Sequence, residues 1–167
     1  MTMRAEDLKD LYRRWLTGVW GDGQFELVNQ LFAAGVTDHN AYPGQPEGRA
    51  GQVWAARMVR NAFPDLTFVP DVVVSDGEFV TGRWTMTGTN TGTMDLFGIP
   101  PTGRPVTMTG QEIFRAADGV SVEVWHQEDI PNMLTQLGLE PPPFLMRLAA
   151  KGSAWRYRRE LRQASKR

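Results

Sequence analysis

The stretch PVTMTGQEIFRAADGVSVEVWHQEDI, residues 105–130, decides the fold. Apolar and polar residues alternate on both sides of Asp118-Gly119, a dipeptide suited to a tight hairpin turn. Pro105–Arg115 and Val120–Ile130 therefore read as two antiparallel strands. Upstream, Asp76-Gly77 separates a second pair of the same kind, Thr67–Val74 and Phe79–Thr89. The link between the hairpins, TGTMDLFGIPPTGRP, is dense in Gly and Pro and reads as a loop.

Before residue 65 the period is helical. Leu8, Leu11, Tyr12, Trp15, Leu16 and Val19 recur every three or four positions and predict an amphipathic helix over 5–20. Gly21-Asp22-Gly23 ends it, and Phe25, Leu27, Val28, Leu31 and Phe32 mark a second, short helix. Residues 35–51 read as a Gly/Pro loop, and roughly 50–62 as a third helix. After the last strand, Pro131 opens a short helix that stops at Gly138. Helices first and a meander of strands after them predict an α+β domain. A curved antiparallel sheet forms a cone, the N-terminal helices pack it, and a pocket lies at the open end.

Composition sets the outer limits. The chain has 167 residues, 41% hydrophobic and 22% charged, enough for one globular core without staples. With no cysteine, disulfides, zinc–thiolate sites and cysteine nucleophiles are excluded, which fits a reducing compartment. The charged start, MTMRAEDLKDLYRRW, has no signal-peptide core, and no apolar run approaches the roughly 20 residues of a membrane span. A cytoplasmic protein with no membrane association is expected. Eight Lys or Arg against the single acid Glu160 follow Glu140, so residues 1–140 carry the negative charge. We expect a domain over 1–140 and a basic, helical extension over 141–167; with no other supporting feature, nucleic acid is not an expected partner.

Several known chemistries find no residues here. There is no phosphate-binding GxxxxGK[ST] loop and no G-x-S-x-G elbow. The two histidines, His39 and His126, are far apart among scattered acids, so no metal site is expected. Phe63, Trp84, Met86, Phe97, Met108, Trp125 and Met133 could line an aromatic cavity for a flat polycyclic substrate, or simply fill the core.

A series of short segments carries a resemblance. In order, these are Asp38-His39-Asn40, the run Asn61 to Leu66 (NAFPDL), Gly88-Thr89-Asn90-Thr91-Gly92, and the run Gly98 to Val106 (GIPPTGRPV). Ile113-Phe114-Arg115, Glu123-Val124-Trp125, Asp129 and Gln136-Leu137-Gly138 follow. Together they resemble the SnoaL-like polyketide cyclases, of the nuclear transport factor two-like superfold, from about residue 5 to 140. The resemblance implies the cone fold, a homodimer, a small hydrophobic substrate and no cofactor. It also implies ring closure of an aromatic polyketide by intramolecular aldol condensation. Similar proteins hydroxylate polyketides or open epoxides, and a non-catalytic partner of a tailoring enzyme is a further alternative.

Asp129 matches the family's catalytic aspartate and would be the general acid/base; its alternative role is to cap the helix at Pro131. His39 and Asn40 fall where the family commonly faces its pocket, and could bind a carbonyl or cap a loop. His126 is a candidate proton carrier. In a regular strand, however, it shares a face with Val124 and Glu128, while Trp125, Gln127 and Asp129 share the other. Pairing about the Asp118-Gly119 turn puts Glu112 opposite Trp125, on the face of Asp129. There it would tune Asp129, orient substrate, or bridge to Arg83.

Overall fold

A computed structural model describes residues 4–93 and 98–164 and divides the chain into two compact units, 1–137 and 138–167. In the first unit, helix α1 (Ala5–Arg14) continues directly into a π-helical segment, Trp15–Gly21. A short 3-10 turn (Phe25–Leu27) and α2 (Val28–Leu31) follow. The remaining elements are β1 (Phe32–Asp38), α3 (Gly48–Ala62), β2 (Thr67–Ser75), β3 (Phe79–Thr89), β4 (Pro105–Ala117), β5 (Val120–Glu128) and α4 (Ile130–Gln136).

The architecture is α+β, as expected, but the sheet is mixed. Four strands follow the predicted meander, and a fifth, β1, lies parallel to β5 in the order β1-β5-β4-β3-β2. β1 occupies residues expected to end a helix and begin a loop. Its Ala33-Ala34-Gly35 centre lacks β-branched side chains, and only Phe32 and Val36 are buried, so alternation is barely visible. It pairs with β5 only at its ends, Phe32 with Ser121 and Thr37-Asp38 with Glu123-Val124.

Even-numbered residues of β3 and β4 form the inner face, where Val80, Trp84, Met86, Val106, Met108, Glu112 and Phe114 are buried. Leu8, Tyr12, Trp15 and Leu16 pack against that face in one core. Two glycines make the fit possible. A Cβ on Gly82 would lie 2.4 Å from the Tyr12 ring, and one on Gly110 would lie 2.3 Å from Trp84. The Tyr12 hydroxyl donates to the Gly82 carbonyl at 3.0 Å. Phe63, Trp84, Met86, Met108 and Met133 are buried core side chains. Phe97 lies outside the described residues.

One irregularity controls which residues reach the interior. From the turn, Ala117 pairs with Val120 and Ala116 with Ser121; beyond that, Arg115 pairs with Glu123. Val122 is thus an extra residue, a β-bulge, and the inner face of β5 switches from Ser121 to Val124 and His126. A one-residue shift moves every later side chain to the opposite face.

Residues 138–167 form the second unit, whose helix α5 spans Pro143–Ala164. Phe144, Met146, Leu148, Trp155 and Tyr157 are exposed on it, and the Arg159 guanidinium lies over the Trp155 ring. Among the described residues no helix is long and apolar enough to cross a membrane.

Candidate active site

The bulge corrects the expected pairing. Glu112 stands opposite His126, not Trp125, and both side chains point inward. Glu128, two residues on, shares the face of His126, and its Oε1 lies 2.6 Å from His126 Nδ1. β1 delivers the fourth member. Asp38 pairs with Val124, and its carboxylate reaches His126 Nε2 at 3.2 Å. All of these side chains are nearly enclosed, with 9% exposure for His126 and Asp38 and 14% for Glu128.

The loop after β1 holds this arrangement. Asn40 Oδ1 accepts the His126 backbone N–H. Gln45 and Gln52 each donate a side-chain N–H to Asp38 Oδ2, at 2.9 and 3.1 Å, and the Asn40 backbone N–H donates to Oδ1. Tyr42 lies over the imidazole, with ring centroids 5.4 Å apart. From the π-helical segment, Trp15 Nε1 donates to Glu112 Oε2 at 3.1 Å. Together with Trp20 these residues enclose a narrow cavity with about 10 Å³ of free space.

The electrostatics follow from burial and from who faces whom. Burial alone would strip the proton from His126. The hydrogen bonds and charges of Asp38 and Glu128 outweigh it and hold the imidazolium up to about 10. Burial would likewise raise Asp38, but His126, Gln45 and the Asn40 N–H keep its carboxyl below the ordinary value. Two carboxylates thus already balance one imidazolium. Glu112 is the group left over: burial pushes it up to about 8, against the opposing pull of His126. Tyr42 is raised well above the usual phenol value by burial and by the neighbouring Glu128 and Glu112.

Other expected residues lie elsewhere. Asp129 is exposed at the start of α4, where Oδ1 accepts the Asn132 N–H at 3.2 Å, and the structure does not bring it to His126 or Glu112. Arg83 pairs with Asp71 and not with Glu112. Trp125 faces the outer side of the sheet, where the exposed His39 ring stacks on it at 4.4 Å and 4°. His39 Nε2 lies 2.7 Å from Glu123 Oε2, and Arg115 holds the other oxygen of that carboxylate. His39 and Trp125 therefore do not face the cavity, whereas Asn40 supports it from behind.

Asp38, Tyr42, Gln45, Gln52, Trp15, Trp20 and Glu128 were not singled out as site residues. Asp38 and its neighbours are brought in by β1, the strand that alternation did not reveal. Glu128 could have been found once His126 was placed inward, since the two share parity.

A mixed sheet with helices on its inner face and a polar cluster enclosed between them is the nuclear transport factor two-like arrangement. A sequence profile described as SnoaL-like polyketide cyclase matches residues 10–137, and the chain belongs to that family. Among solved structures it resembles IdmH, a proposed polyketide cyclase from Streptomyces antibioticus. Identity is 32%, coverage 78% of this chain and 98% of that one, and the TM-score 0.66. A proposed polyketide cyclase from Bacillus cereus ATCC 10987 is 26% identical over 81% of this chain and 83% of that one, with a TM-score of 0.70. AclR from Streptomyces galilaeus, a proposed hydroxylase, shares the fold at 24% identity over 94% and 98% of the two chains, with a TM-score of 0.69. No protein of curated function matches the sequence.

Proposed function

We propose that this protein closes a ring in an aromatic polyketide or related natural product by intramolecular aldol addition, without a cofactor, using Glu112 as the proton carrier. The observation that supports this reading is the enclosed pairing of Glu112 with a charged His126. A carboxyl group that titrates near 8 is matched to removing a proton from a carbon next to carbonyl groups at near-neutral pH. Ionised Glu112 takes that proton, and the C–H electron pair becomes an enolate. The enolate carbon bonds to an internal ketone carbon, and Glu112 returns the proton to the new alkoxide. The product therefore has the mass of the substrate.

His126 is held by two carboxylates and does not need to give up its proton. Its positive charge, opposite Glu112 in a site of low dielectric, favours the ionised carboxylate and the enolate alike. With about 10 Å³ free, the cavity admits a ring system only as its lining side chains part, so substrate displaces water from the acid/base pair. The homodimer and the cytoplasmic setting of the family belong to the same reading.

The test is turnover of an aromatic polyketide methyl ester by the purified protein in EDTA, followed by mass and absorbance. A product of unchanged mass, formed by wild type and lost in Glu112→Gln, is the expected result. A product heavier by oxygen or water, or full activity in Glu112→Gln, overturns the reading.

A further inference from the structure

The chain winds into a π-helix between Trp15 and Gly21, beside the cavity of the acid/base pair. In an α-helix, residues five apart lie roughly 140° apart around the axis and face different ways. The wider i→i+5 turn, seen in the Asp22 N–H donating to Thr17 O at 2.9 Å, brings Trp15 and Trp20 to one side. Their rings meet edge to face at 5.5 Å, and both line the cavity of Glu112 and His126. Such π-turns are frequent at functional sites.

The two indoles differ in one respect. Trp15 Nε1 is engaged by Glu112. Trp20 is 8% exposed, and its buried Nε1 has no hydrogen-bond partner among the described residues. A buried donor without an acceptor destabilises a fold, and is retained where something else supplies the acceptor. The ring is also firmly held. Arg60 Nη1 donates to the Trp20 carbonyl at 2.8 Å, and the Trp20 ring packs on Phe68. The free space beside it is that of a single small polar group.

We infer that the Trp20 indole N–H is the donor for a substrate oxygen, the carbonyl that becomes the enolate in the reaction proposed above. The inference rests on that reading for its chemistry but on the unpaired donor for its location. When Glu112 takes the proton from carbon, the C–H pair forms the carbon–carbon double bond and the carbonyl π pair moves to oxygen. That oxygen then accepts the Trp20 N–H more strongly than the ketone did, and Trp20 keeps its own proton throughout. A fixed donor aimed at charge that develops in the transition state lowers the barrier.

The test combines binding and turnover. The probe is danthron, a dihydroxyanthraquinone, titrated into protein labelled with nitrogen-15 at its six tryptophans. Trp20→Phe identifies the indole signal by its loss; contacts to Phe68 identify it independently if that variant does not fold. The Trp20 N–H signal is expected to move on binding. Trp20→Phe is expected to bind danthron about tenfold more weakly. It should also turn over the polyketide ester about a hundredfold more slowly than wild type. A Trp20 signal unmoved by danthron, or Trp20→Phe working at the wild-type rate, overturns the inference. If wild type itself gives no product while the signal moves and Trp20→Phe loses affinity, the oxygen site stands and the cyclase reading falls.

Discussion

Glu112 and His126 face one another across the β4–β5 ladder because Val122 bulges out of the pairing between the turn and the site. Were Val122 paired in a regular ladder, the turn would set Glu112 against Trp125, and the carboxyl group would have no cation opposite it. The bulge therefore decides the electrostatics of the interior. It turns His126 inward between Asp38 and Glu128, and it turns Trp125 outward under His39.

If Glu112 carries the proton, its isosteric amide removes catalysis and little else. Glu112→Gln is expected to lower turnover by at least about a hundredfold. The same variant should be no less stable than wild type, since it replaces a buried ionisable group by a neutral one that can still accept from Trp15. Steady-state rates beside a urea melt at pH 7 check both halves. Loss of activity together with loss of stability would mean that Glu112 holds the fold.

Activity should follow a bell in pH. Glu112 must be ionised to take the proton, so the rising limb lies near 8; His126 must stay charged, so the falling limb lies near 10. These are apparent values of an interacting pair. Glu112→Gln removes the rising limb from whatever activity remains. A rate flat from pH 6 to 10 in wild type would exclude both groups.

Stability carries the same signature with a definite sign. Both His126 and Glu112 have folded values above their unfolded ones, 6.5 to about 10 and 4.5 to about 8. A raised value contributes stability below the unfolded pKa that is lost as pH rises through the folded one. The urea midpoint is therefore expected to fall between pH 5 and 10. Glu112→Gln should flatten the part from 4.5 to 6.5, lessen the slope from there to about 8, and leave the part up to about 10. Asp38 works in the opposite direction: its stabilisation is present above 3.8 and lost as pH falls below it. A midpoint that rose from pH 7 to 10 would contradict the ionisation states described here.

Asp129 offers the opposing control. As the N-cap of α4 it satisfies the Asn132 N–H, so Asp129→Ala is expected to cost about 1 kcal/mol of stability. Asp129→Asn keeps an accepting oxygen and should retain both stability and turnover. Loss of turnover in a folded Asp129→Asn protein would return the acid/base role to that residue.

The four meander strands were legible because β3 and β4 alternate over most of their length and each adjoins an Asp-Gly turn with few tolerated geometries. The chemistry was legible only in its ingredients. Glu112 and His126 stand out as a carboxyl and an imidazole on adjacent strands, but whether they meet depends on one residue of register, which local pattern does not encode. β1 was hidden for a different reason. Phe32, Val36 and Asp38 acquire their roles only by pairing with a strand some 90 positions later, so no local signal marks them. Trp15 reads as a spaced core residue of an α-helix that runs to residue 20, and the common direction of Trp15 and Trp20 appears only with the π-turn.

Deleting Val122 tests the register of β5 directly. Val122 is the residue that β4 does not match, so removing it should convert the bulge into a regular ladder and leave every later pairing in place. Glu112 would still face His126, Trp125 would still face outward, and the loss would be confined to local twist. His126 in the Val122 deletion is therefore expected to titrate near 10, as in wild type, when its ring carbon protons are followed by NMR. Turnover should persist. If the bulge itself, and not the pairing beyond it, held the imidazole inward, the deletion would expel His126 to solvent. Its pKa would return to about 6.5, and the ring now stacked on Trp125 would lose its partner. A His126 value near 10 in a folded deletion variant is the outcome that places the site's geometry in the strand pairing beyond the bulge.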